Sequence, residues 1–121
     1  EKLSGITKHE SRIMEITNTN HLKIKSFTDL NAWKEGHQLV LAVYDLTRRF
    51  PREEQFGLIN QIRRAAVSIA SNIAEGKERE TVSEFIRYLY VAKGSAGEVL
   101  TQVIIAEEVG YLDREKSSEL R

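Results

Sequence analysis

Residues 63–76, RRAAVSIASNIAEG, carry two stripes at once. Ala66, Ile69 and Ile73 return at intervals of three and four, the period of one helical face turned to a core. Arg64, Ser68, Asn72 and Glu75 return at the same intervals and form a polar stripe beside the apolar one. What that polar stripe meets decides how the chain folds.

The apolar repeat extends back through Leu58, Ile59 and Ile62, so the sequence predicts a helix over 53–76, with Gly76 as a left-handed stop. After the KERET loop, Thr81 and Glu84 have the spacing of a capping box. A further helix is predicted over 81–110, through Phe85, Leu89, Ala92, Ala96, Val99, Val103 and Ala106. Upstream, residues 29–50 place Trp33, Val40, Val43 and Phe50 on one stripe that Leu39 and Leu46 widen. Asp29 is the predicted N-cap, Arg48 and Arg49 suit the dipole of the last turn, and Pro51 ends the element.

The 81–110 helix has its own polar stripe in Arg87, Gly94, Ser95, Glu98 and Gln102. In one antiparallel register Glu75 faces Arg87, Ser68 faces Gly94, Arg64 faces Glu98 and Gln61 faces Gln102. Two opposite-charge pairs with small residues between them suit a close hairpin. Desolvation offsets most of the attraction in such pairs, so their role would be to fix register. A solvated helix face and a polar ligand pocket are the other readings of the stripe.

Three helices leave a groove that a fourth would fill. Residues 113–121, DREKSSELR, start another helix. Read on into the N-terminal EKLSGITKHESRI, Leu120, Leu3, Ile6 and Ile13 form a continuous apolar seam. Met14 then resembles an initiator, and 14–28 a polar linker arm. One reading is a circularly permuted bundle whose fourth helix is divided between 1–13 and 113–121. The other is an ordinary N-terminal extension. Either way the expectation is one all-α domain over 1–121, an up-and-down antiparallel four-helix bundle.

Composition narrows the chemistry. Eighteen basic residues balance eighteen acidic ones, so any nucleic-acid surface must be a local patch. The absence of cysteine removes thiolate catalysis, disulfides and cysteine-ligated zinc, and fits a cytoplasmic location. No run is apolar enough to span a membrane. His9, His21 and His37 are scattered without carboxylates at metal spacing, and no serine has a histidine placed to activate it. Glu53 and Glu54 read as helix-start residues opposing Arg48, Arg49 and Arg52, and the GSAG run at 94–97 as close helix packing. A non-enzyme without cofactor or metal is expected.

The blocks FTDLNAW, FPREEQFGL, QIRRAAVSIASNIAEG and KGSAGEVLTQVIIAEEVGYL resemble the four-helix bundle proteins encoded in large-subunit rRNA intervening sequences. The resemblance spans about Phe27 to Leu112. It implies the four-helix bundle, assembly as a homopentamer, and a link to RNA, since relatives in diversity-generating retroelements are basic partners of a reverse transcriptase. This chain departs from the pattern in its balanced charge and in a fourth helix cut short after Leu112.

Two function classes remain. One is an oligomeric adaptor binding RNA or a nucleic-acid enzyme through helix-end cations, with Arg48, Arg49, Arg52, Arg63, Lys77 and Arg79 as candidates. The other is a protein–protein assembly module with no nucleic-acid role. Trp33, Tyr44, Phe56, Tyr88, Tyr90 and Tyr111 are more aromatic surface than one small core uses, which points some of them to a subunit interface.

Overall fold

The computed structural model describes residues 2–3, 6–7 and 26–113. Three helices carry the fold: α1 (Asn31–Thr47), α2 (Leu58–Lys77) and α3 (Val82–Glu108). Both α1 and α3 pack against α2 but not against each other. Val43, Leu46 and Phe50 meet Ile62, Ala66, Ile69 and Ile73 of α2, while Val99, Val103 and Ala106 close the other side. The apolar stripes read from the sequence supply this core, except that Ala96 is exposed and others, Trp33, Val40, Phe85 and Leu89 among them, are only half-buried. Alanine at 65, 66 and 92 leaves little side-chain bulk between the axes.

Each boundary has a local cause, and several differ from expectation. Asp29 is not the cap of α1: Ser26 caps a 3-10 turn at Phe27–Asp29, and α1 begins only after Leu30. Phe27 meets Trp33 edge-on and Trp33 stacks on His37, which ties that turn to the helix. Helix α1 ends at Thr47, short of the expected residue 50. The Thr47 hydroxyl bonds back to the Val43 carbonyl, and Pro51 disfavours helical backbone just before it.

The second helix begins later than residue 53, because Arg52–Glu54 form a separate 3-10 turn and Gly57 breaks the run. Its exposed first turn is capped from outside, where the Leu58 N–H donates to Glu54 Oε1 at 3.0 Å. The Tyr111 hydroxyl donates to Glu54 Oε2 at 2.8 Å, joining the start of α2 to the end of α3. The Leu58 amide first, then Tyr111, hold the Glu54 carboxyl below its ordinary 4.5. The same hydrogen bond raises the Tyr111 phenol above its ordinary 10.0.

A depressed carboxylate stabilises the fold fully above its unfolded value and loses that contribution as pH falls through the native one. Tyr111 has the opposite sign: its contribution is present below 10.0 and is lost as pH rises past it. Glu54→Gln should therefore lower the melting temperature near neutral pH and flatten the fall in stability below pH 4.5, read by circular dichroism at several pH values.

Gly76 is not a left-handed stop. It lies inside α2, buried, and the helix runs on to Lys77. Its smallness serves the crossing of α2 and α3: an added Cβ would stand 2.7 Å from Tyr88 Cβ and 3.0 Å from Phe85 Cδ1. The left-handed stop belongs instead to Gly110, at φ 91°, which ends α3. There the Tyr111 N–H reaches the Ala106 carbonyl and the Gly110 N–H the Glu107 carbonyl, the two bonds of a Schellman motif. At the other end of α3, Thr81 caps the helix by accepting from the Glu84 N–H, which is one half of the expected capping box. The return bond from the Thr81 N–H to the Glu84 side chain is not formed among the described residues.

The expected fourth helix meets a different structure where 1–13 would continue it. Lys2–Leu3 (β1) pairs antiparallel with Ile6–Thr7 (β2), so these four residues are strand, not helix. The intervening Ser4-Gly5 is turn-forming in composition, and Ile6 and Thr7 are β-branched. The rest of 1–13, the arm up to residue 25, and 114–121 lie outside the described residues. Between α1 and α3, over α2, runs an apolar trough of about 340 Å³ lined by Gly36, Leu39, Ile73, Leu89 and Ala96. It is where a fourth helix of an up-and-down bundle would lie.

Candidate nucleic-acid interface

The six cations picked from the sequence divide between the two ends of α2. Its twenty residues set them about 30 Å apart. Arg48, Arg49, Arg52 and Arg63 gather where α1 ends and α2 begins. Lys77 and Arg79 stand at the opposite end, beside the start of α3.

Several of these cations are already engaged. Arg63 lies over the Tyr44 ring, 4.4 Å from its centroid, and its Nε donates to Thr47 Oγ1 at 2.8 Å. Arg48 pairs with Asp45 at 3.2 Å. Arg79 pairs with Glu75 and donates to the Tyr88 hydroxyl; the charge interaction with Tyr88 first, then that with Glu75, holds its guanidinium above its ordinary value. Arg49 and Arg52 are exposed, and their side chains have no hydrogen-bond or ion-pair partner among the described residues.

The polar stripes meet, with a corrected pairing. Ser68 Oγ contacts Ser95 Oγ at 2.8 Å, one residue from the expected Gly94, and Asn72 Nδ2 donates to Ser68 Oγ at 2.9 Å. Neither expected interhelical ion pair forms. Glu75 pairs instead with Arg79 in the turn just after α2, and Arg87 lies over the Tyr88 ring. Arg64 and Glu98 are both exposed and unbonded to each other. Hydroxyls at the helix contact bond to each other cheaply, whereas two charges there would need costly desolvation. The small polar residues therefore take the interior of the stripe and the charges its rim.

Two clefts flank Arg64. The larger, about 690 Å³, opens between Tyr44 and α2, with Phe56 at its mouth and Ile59, Arg63 and Val67 along it. The smaller, about 360 Å³, lies in the α2–α3 crevice and is lined by Gln61, Glu98 and Gln102. Asn60, Arg64 and Ser68 border both. Spacing alone puts Arg64 opposite Glu98, so the sequence does not mark it as an open cation. Phe56 was noted only among the surplus aromatics. The signal that singles it out is its place in the turn before Gly57, off both helical stripes.

Among the described residues no three His, Cys, Asp or Glu side chains are grouped to hold a metal, and no helix is long and apolar enough to cross a membrane. These features define a small all-helical protein built on an antiparallel α2–α3 hairpin. The family model of the 23S rRNA-intervening sequence protein matches residues 28–121, and the chain belongs to that family. No curated protein matches the chain.

Proposed function

We propose that this chain is a non-enzymatic, oligomeric helical adaptor that binds RNA, or a nucleic-acid enzyme such as a reverse transcriptase, through the end of the bundle where α1 meets α2. The observation that carries the reading is that Arg49 and Arg52, where α1 ends, and Arg64 on α2 are exposed and have no side-chain partner among the described residues. Unpaired cations on one surface are what phosphate contacts need. A family named for an rRNA intervening sequence agrees with an RNA link. Lys77 and Arg79 contribute less, because Arg79 is held by Glu75 and Tyr88. The retroelement parallel rests on resemblance.

A second reading is an assembly module alone. It draws on the apolar stripe that α3 turns outward, where Val82 is 73%, Ile86 45% and Leu100 43% exposed. Such a stripe suits a helix of another copy. The pentamer belongs to this part of the proposal, and a monomer in sedimentation at micromolar concentration would remove it.

Anisotropy of a labelled single-stranded RNA separates the two. Three phosphate contacts, from Arg49, Arg52 and Arg64, predict roughly a 4-fold loss of affinity for each doubling of salt, or about 20-fold between 50 and 200 mM, at single-strand slopes. Absence of binding at the lower salt leaves the assembly module.

A further inference from the structure

We infer that the outer face of α2 holds one dinucleotide step of single-stranded RNA, with a base in each cleft and the intervening phosphate on Arg64. The inference rests on the RNA-binding reading and gives it a site. Three observations carry it.

Phe56 is 89% exposed at the mouth of the larger cleft. A ring that contributes so little to the core is free to stack, and every base offers it a flat face. Arg64 borders both clefts, has no side-chain partner among the described residues, and is placed between the two positions where bases would sit. Gln102, only 9% exposed, lines the smaller cleft, and its Oε1 is buried without a hydrogen-bond partner. A buried amide oxygen of this kind calls for a donor.

The Glu98 carboxylate is the acceptor at the smaller cleft, Gln102 Oε1 joins it when its side chain turns outward, and the two select a base that carries an amino group. The donors of Asn60 and Gln61 can meet its ring acceptors. Unstacked bases read on their edges and held on an aromatic face are the usual terms of single-strand recognition. Duplex RNA hides both base faces and edges, and would not enter.

The test is anisotropy with short labelled oligo(A), oligo(C) and oligo(U), and a duplex, on the full chain. Single strands of A and C should bind more tightly than U or the duplex. Phe56→Ala should weaken binding by about ten-fold, within the range for loss of one stacked base, and Phe56→Trp should retain it. Arg64→Gln should weaken all strands and reduce the salt slope by about one contact. The exposure of Phe56 predicts that circular dichroism and sedimentation of its variants match the wild type. Wild-type binding that Phe56→Ala and Arg64→Gln leave unchanged would overturn this site while keeping the RNA-binding reading. No RNA binding by the wild type would end both. Loss of oligomer mass in Phe56→Ala would show a contact between copies, and would also overturn the site.

Discussion

Replacing Gly76 by leucine should destabilise the protein by about 1–3 kcal/mol or more, the range for overpacking a well-filled contact. Even Gly76→Ala should lose stability, although alanine is the better helix former by roughly 1 kcal/mol. The sign follows from what the new atom meets. Its neighbour at 2.7 Å is Tyr88 Cβ, which is fixed to the backbone of α3 and cannot swing aside. The Phe85 carbonyl oxygen is a further 3.3 Å neighbour. Accommodation therefore requires the first turns of α3 to move off α2. Urea denaturation monitored by circular dichroism reads the loss directly. Gly76→Ala as stable as the wild type would mean that the helices do not cross this closely.

The second large effect is expected at Ile62, which is 0% exposed and sits where α1, α2 and α3 share the core. Ile62→Ala should cost about 2–5 kcal/mol, combining lost transfer energy with the cavity left behind. Against a total stability of about 5–15 kcal/mol for an ordinary domain, that is a large fraction. Ile62→Val should cost only about 0.5–1.5 kcal/mol. The contrast between the two variants matters more than either value, because a surface position would show neither loss. Equal, near-zero effects of both would contradict the packing of α2 between its neighbours.

Much of this architecture was legible in the sequence, for a physical reason. The apolar repeats of Val43, Ile62, Ile69, Val99 and Val103 are periodic, and burial follows period. The capping of α3 by Thr81 was legible because a cap is a local interaction. Gly76 and Gly110 show where local reading stops. Both are plausible helix stops by type, but only the approach of Tyr88 shows that one is a packing glycine. Likewise, spacing alone put Arg64 opposite Glu98, yet charges at a helix contact move to its rim while Ser68 and Ser95 take its interior. The N-terminal seam shows a further limit. Leu3 and Ile6 have helical spacing, but they pair with each other as strand residues. Three residues apart is also the separation of partners across a two-residue turn.

The candidate site was only half legible. Helix-end arginines can be picked by type and place, whereas their engagement cannot. Arg48 is tied by Asp45 three residues back, Arg79 by Glu75 and by Tyr88 of α3, and Arg63 by Thr47 across the α1–α2 contact. The cleft that makes Phe56 and Arg64 neighbours exists only once α2 is packed on α1.

The central claim is that RNA meets the protein at the α1–α2 end. Ultraviolet cross-linking of the full chain to a photoreactive single-stranded RNA, followed by mass spectrometry of the peptides, tests it most directly. The account predicts adducts in the segment from Tyr44 to Arg64, with Phe56 and Tyr44 as the modified rings. Adducts confined to the opposite end, around Lys77 to Tyr90, or no adducts under conditions where the RNA is bound, would contradict it.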